Sequence, residues 1–194
     1  EENLHEKTDS AWFQDGDAFR PPLSLTELLE ILVTSEALER AQSADIESRT
    51  LTLRSQVLKE RVGSVRSQAA AQYEVSPAEI VAAAGLPLAN NPRQKLTEDA
   101  VAQCLAEAAH CTYKKIDPLS LDNDLIQRTF SRAYAHHNVV VPIAESGDTL
   151  ELALTDPFDR TLRESIENMI ARPVRYVVAS KRDILSVIER VHGF

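Results

Sequence analysis

The residues able to do chemistry are few, and their spacing suits it poorly. Cys104, His110 and Cys111 lie close together, and His136 and His137 make a second pair. Structural zinc takes about four ligands, usually in short pairs such as C-x2-C. Cys104 and Cys111 fit no such spacing, so they read as small buried thiols on an Ala-rich helix. Ser, His and Asp are plentiful, but no G-x-S-x-G elbow presents a nucleophile. The carboxylate pairs Asp122/Asp124 and Asp156/Asp159 fall where helices are predicted to start, and capping accounts for them. No catalytic, metal-binding or cofactor-binding residue is expected.

Glycine excludes another class. The five glycines are Gly16, Gly63, Gly85, Gly147 and Gly193; none precedes Lys, and no two lie two apart. Neither the phosphate loop G-x-x-x-x-G-K-[ST] nor G-x-G-x-x-G can be written on this chain. The balance of 21 Lys+Arg against 30 Asp+Glu gives a net charge of -9. That argues against generic nucleic-acid binding, which rests on neutralising phosphates. The most apolar run, residues 80–89, is interrupted by Gly85 and Pro87. It falls short of the roughly 20 apolar residues a membrane span needs. Two cysteines and no apparent secretory signal point to a reduced, cytoplasmic setting.

Two basic groups remain. Arg49, Arg54, Lys59, Arg61 and Arg66 are predicted on one long helix with only Glu60 among the acids between Arg54 and Arg66. They form a candidate docking face for an acidic partner or anionic headgroup, or else a solvated face. Arg128, Arg132 and His136 step by four and form a second, weaker patch.

At 43% hydrophobic residues over 194 positions, the chain can build a core. Residues 1–22 hold six acids against two bases, net -4, and read as an acidic tail. Its Trp12 and Phe13 are either docking aromatics or incidental. Residues 23–84 read as helical. Ser24 and Glu27 form a capping box, Ser35 is predicted to cap a second helix, and a long helix is expected over about 44–73. Its predicted inner stripe is Leu51, Leu58, Val62, Val65, Ala69 and Tyr73. Ser76-Pro77-Ala78-Glu79 opens a further short helix. Residues 85–95 carry one Gly, two Pro and two Asn and read as a flexible linker. Residues 96–194 then alternate between the periods of helix and strand. A helix capped by Thr97 is predicted first, then a short strand at 113–116 and a helix over 122–135. A hairpin turning at 145–148 follows, with Pro142 at an edge or strand end and one face of 150–154 buried. A helix capped by Asp156, a strand at 174–178 and a helix capped by Ser180 complete the order. The expected class is α+β, an all-helical subdomain followed by a compact α/β subdomain. The latter would hold a small mixed sheet made by a hairpin, a crossover helix and a parallel strand.

The second half also carries a run of recognisable segments. In order they are Tyr113-Lys-Lys-Ile-Asp-Pro-Leu119, Val140-Val-Pro-Ile143, Leu152-Ala-Leu-Thr-Asp-Pro-Phe158, Arg172-Pro-Val174 and Ala179-Ser-Lys-Arg-Asp-Ile184. Together they resemble the amino-terminal domain of the type II secretion and type IV pilus assembly ATPases, the general secretory pathway protein E family. The likeness covers about residues 97–194, and Gln72–Ile80 resembles a linker region of some members.

The resemblance implies a non-catalytic docking and regulatory region that precedes a motor domain. The motor would carry the phosphate loop, ATP and Mg, with no cofactor in residues 1–194. Implied partners are that motor, in a hexameric parent, and the cytoplasmic domain of an inner-membrane platform protein. The implied location is cytoplasmic, peripheral to the inner membrane through that partner. Trp12, Phe13 and Tyr73 are the expected aromatic anchors. Some members bind cyclic di-GMP through motifs with an Arg-Leu-Gly start. The corresponding Leu23–Leu29 lacks that start. A cyclic di-GMP-responsive domain and a stand-alone small enzyme remain the alternatives.

Overall fold

The computed structural model describes residues 22–64 and 66–193. The expectations for the acidic tail, Trp12, Phe13 and Val65 lie outside the described residues.

The capping box at Ser24 and Glu27 is present and starts α1 (Leu25–Thr34), which buries Leu28, Leu29, Ile31 and Leu32. Ser35 ends this helix rather than starting the next. Glu36 then turns through a positive φ of 59° and drops Ala37 and Leu38 into the core. The second helix, α2 (Arg40–Ser48), is capped by Glu39 and Gln42 instead.

The predicted long helix is three. After α2, the chain kinks at Arg49 into α3 (Thr50–Val62), and α4 (Gln68–Gln72) follows. Gly63 stops α3 in the left-handed conformation, with φ 75° and its N–H on the Lys59 carbonyl. Only glycine enters that conformation without a Cβ penalty, which is why it terminates helices. The kink and the stop shift the buried phase of α3. Leu53 and Val57 face the core, while Leu51 is 81% exposed. The predicted stripe therefore has the wrong phase: Leu51 faces outward, and Leu58 and Val62 are only half-buried. Ser76 and Glu79 cap α5 (Pro77–Ala83), with Pro77 at the first helical position.

Residues 85–95 are folded back on themselves. Pro87 bridges Lys95, the Leu88 N–H reaches the Gln94 carbonyl, and the Leu96 N–H reaches the Leu86 carbonyl. Leu88 and Leu96 are buried. Thr97 caps α6 (Glu98–Ala108), whose buried residues include Val101, Ala102, Leu105 and Ala106. This helix packs against α1 and α5 and also against the sheet.

The sheet has four strands in the order β1-β4-β3-β2, where β1 is Thr112–Tyr113, β2 Val140–Ser146, β3 Thr149–Leu154 and β4 Val174–Val178. The β2–β3 hairpin is antiparallel; β4 runs parallel to both β3 and β1. The mixed sheet, its hairpin and its parallel crossover follow the expected α+β plan. Pro142 sits on edge strand β2 beside a register shift, where a missing N–H is tolerated. Residues 150–154 are all buried, so both faces of β3 are covered rather than one.

Two helix starts differ from expectation. Asp159 caps α9 (Arg160–Met169), while Asp156 makes a turn before it. The helix predicted over 122–135 divides into α7 (Asn123–Thr129) and α8 (Arg132–Asn138), because Phe130 is extended. The last helix, α10 (Lys181–His192), is capped by Ser180 as expected and buries Ile184, Val187 and Ile188. A short 3-10 turn, Pro118–Ser120, links β1 to α7.

The phase of α3 is directly testable by urea unfolding. Leu53→Ala should cost about 3 kcal/mol by leaving a core cavity. Leu51→Ala should stay within about 0.5 kcal/mol, as at other exposed positions. Equal costs would mean that α3 is rotated from the orientation described.

Candidate functional site: a buried ionic cluster beside a cavity

Glu79 is the least expected feature of the interior. It is a carboxylate, yet only 2% exposed. Its place at the third position of α5 aims the side chain back at the helix start. There it accepts the Ser76 N–H at 2.8 Å and the Ser76 hydroxyl at 3.0 Å. A buried carboxylate needs more than a cap, because an unpaired buried charge is costly. The Lys181 ammonium, from the first turn of α10, donates to Oε2 at 2.9 Å. The Tyr73 hydroxyl donates to Oε1, and Arg61 Nε lies 3.3 Å from the same oxygen.

The cluster extends through two of these partners. Arg61, near the end of α3, also donates to Glu98 Oε2 on α6 at 2.8 Å. Lys181 donates to the Glu74 carbonyl and lies 4.5 Å from the centroid of the Tyr73 ring. Five elements (α3, the 73–76 segment, α5, α6 and α10) are thereby joined by one set of charges.

The ionisation of each group follows from its partners. Burial pushes the Glu79 carboxyl up, but Lys181 and the Tyr73 and Ser76 hydrogen bonds outweigh it, leaving the carboxyl below its usual range. Glu98 goes the other way. Burial raises it more than Arg61 lowers it, and its Oε1 is buried without a hydrogen-bond partner among the described residues. Burial and the bond to Glu79 push the Tyr73 phenol well above its ordinary value.

A cavity of about 870 Å³ opens beside the cluster. Its walls include Leu23 and Leu28 from the helical part, Tyr73 and Val75, Leu162 from α9, and Lys181 and Leu185 from α10. Asp156 stands in its wall and accepts the Leu23 N–H at 3.0 Å, and burial raises its carboxyl.

The predicted site residues are placed unevenly. Arg54 and Lys59 are exposed on α3, and Arg66 is exposed beyond its end. Arg49 is half-buried at the α2–α3 kink and paired with Asp45. Arg61 is drawn inward to Glu79 and Glu98. The five cations therefore do not share one helix face. Tyr73, expected as a docking aromatic, is committed to Glu79 and Lys181. Arg128 and Arg132 fall on different helices, and Arg128 pairs with Glu145 at 2.6 Å. Cys111 is bonded to the Ala106 carbonyl at 3.5 Å, and burial pushes its thiol up to about 11. Among the described residues no group of three or more His, Cys, Asp or Glu side chains could hold a metal ion. No described helix is long and apolar enough to cross a membrane.

Sequence reasoning found Glu79 and Ser180 as capping residues but missed what they position. One signal was available. Lys181 and Arg182 occupy the first turn of α10, where the helix dipole disfavours cations. A cation there needs a reason, and Glu79 supplies it for Lys181.

The order of strands and helices from β1 to α10 invites comparison with known domains. Residues 110–194 match the MshEN domain. The matched segment holds the whole sheet, α7 to α10 and the motifs quoted above. By fold, the chain is similar to the structure of MshE with cdg, at 19% identity and a TM-score of 0.53. That likeness covers 84% of this chain and 97% of the other. It is also similar to the N-terminal domain of XpsE, at 16% identity and a TM-score of 0.51, covering 85% and 93%. Both likenesses extend well beyond 110–194, so the shared fold takes in helical elements that precede the MshEN segment. No curated protein matches by sequence. The resemblance to the amino-terminal region of the secretion and pilus assembly ATPases thus rests on a domain match as well as on motifs.

The charge arrangement makes a pH prediction. Glu79 binds its proton more weakly folded than unfolded. Its stabilisation is therefore complete above the ordinary carboxylate value of about 4.3, and is lost as pH falls through the depressed folded value. Glu79→Gln should destabilise by about 3 kcal/mol at pH 7, by stranding Lys181. Urea titrations from neutral to acid pH should show that gap close only at the acid end. A gap independent of pH would mean that Glu79 is not ionised in the fold.

Proposed function

We propose that this chain is the non-catalytic docking and regulatory region that stands ahead of the motor in a type II secretion or type IV pilus assembly ATPase. The observation that carries the reading is the MshEN match over 110–194, on a fold similar to the N-terminal domain of XpsE. The sequence has no Gly-Lys pair, so the usual phosphate loop cannot be written on these 194 residues. ATP and Mg would belong to the motor. The partner is the cytoplasmic domain of an inner-membrane platform protein, which would hold this region at the cytoplasmic face.

The docking surface we assign is the outer side of α3. Leu51 is 81% exposed there, and Arg54 and Lys59 flank it on the same helix. An apolar contact rimmed by charges is the usual composition of a protein interface. Of the five cations, Arg61 is excluded because the interior already uses it. Arg49 is discounted by its pairing with Asp45.

Titration calorimetry with the purified platform domain tests this. Wild-type chain should bind, and Arg54→Glu with Lys59→Glu should weaken binding on the order of tenfold, because rim charges set complementarity. No binding by wild-type chain would remove the tethering role. Unchanged affinity in the double variant would move the interface off α3.

A second reading is favoured by one observation, the likeness to the structure of MshE with cdg. On it, the chain would bind cyclic di-GMP. The local geometry favours it less. At the start of α1 the Glu27 N–H is taken by Ser24, and the Leu23 and Ser24 N–H groups are taken by the carboxylates of Asp156 and Glu27. A phosphate would have to displace anions already bound there. Calorimetry with cyclic di-GMP at high micromolar concentration should give no heat; a saturable signal would reinstate this reading.

A further inference from the structure

The join between α1–α5 and the rest of the molecule is built differently from either side of it. The substantial inter-element contacts of α1–α5 are with one another and with α6. α6 in turn packs on β1 and β4, and acts as a shared wall. Away from α6, the two parts face each other across the cavity of about 870 Å³. Between the described residues, side-chain and backbone hydrogen bonds cross this gap at Leu23 and at Lys181. The Leu23 N–H reaches Asp156, and the Lys181 ammonium reaches Glu79 and the Glu74 carbonyl. The same ammonium lies over the Tyr73 ring. Lys181 is only 10% exposed, at the first turn of α10.

Such a seam has particular mechanics. Apolar contacts lose free energy gradually, with the area exposed. Hydrogen bonds are short-ranged and directional, so a shift of a few ångströms discards them together. A seam that gathers most of its described crossing bonds on one ammonium loses them in a single step when that ammonium leaves.

We propose that Lys181 is the catch of a hinged seam. With its ammonium on Glu79 the seam is closed. Released, the layer α1–α5 moves as a unit on the α6 wall and opens the cavity between Leu28 and Leu185. Arg61 remains on Glu98 in both states, because that pair joins α3 to α6 and does not cross the gap. The device does not depend on what α3 docks against, and it stands or falls separately from the tethering role.

Hydrogen exchange on the full 194-residue chain tests it. In Lys181→Met, amides of α1 and α5 should exchange faster on the order of tenfold, while the central amides of β3 and β4 hold their wild-type rates. A uniform rise across both parts, or no rise at all, overturns the proposal. The second variant replaces the ion pair by two apolar side chains of similar length, Glu79→Met with Lys181→Met. Such replacements preserve or improve stability where the geometry permits. Here the double variant should reseal the gap and return α5 exchange to the wild-type rate or below. Exchange at α5 as fast as in the single variant, or faster than wild type where the single variant does not fold, would show that Lys181 does not act through Glu79.

Discussion

The structure turns on a carboxylate that the solvent cannot reach. Glu79 is held almost wholly inside, and a buried charge is tolerable only when its lone pairs and its charge are both answered. Its own helix start supplies two hydrogen bonds through Ser76. The charge is answered from 102 residues further along the chain, by Lys181. That requirement fixes where α10 may begin relative to α5, and through α10 it fixes the sheet on which α10 packs. Arg61 and Glu98 continue the same constraint into α3 and α6.

This arrangement trades packing for specificity. A seam of Leu and Val could have closed the space between the helical layer and the α/β part. Instead a cavity remains, and directional bonds set the register across it. Buried polar groups of this kind tolerate fewer alternative arrangements than an apolar contact does, because any slip leaves a charge unpaired. The same property makes the closed state separable from an open one.

The sheet shows the opposite solution. β3 is buried over residues 150–154, and β4 over its last three, with parallel and antiparallel pairing on either side of β3. Its one buried acid, Glu151, is answered locally by Arg175 on the neighbouring strand and by Lys114. Its charge is met within the sheet region, although α6 still covers β1 and β4.

The chain's own sequence determined the local starts and stops whose physics is local. The boxes at Ser24 and Ser76, the caps at Thr97 and Ser180, the hairpin before Gly147 and the edge proline Pro142 all act within a few residues, so pattern alone revealed them. The alternating runs of β3 and β4 revealed the mixed sheet for the same reason. Tertiary structure decided what depends on partners far along the chain. The phase of α3 followed from a kink at Arg49 and a stop at Gly63, because packing against α5 selects the buried face. Residues 85–95 looked like a linker by composition, yet Leu88 and Leu96 bury their side chains and fold the segment down. Arg61 read as a docking cation and Tyr73 as a docking aromatic, but the buried Glu79 claims both. A lysine at the start of a helix was visible in the sequence, but its carboxylate lies a hundred residues away. Coulomb attraction depends on distance in space, and only the fold sets that distance.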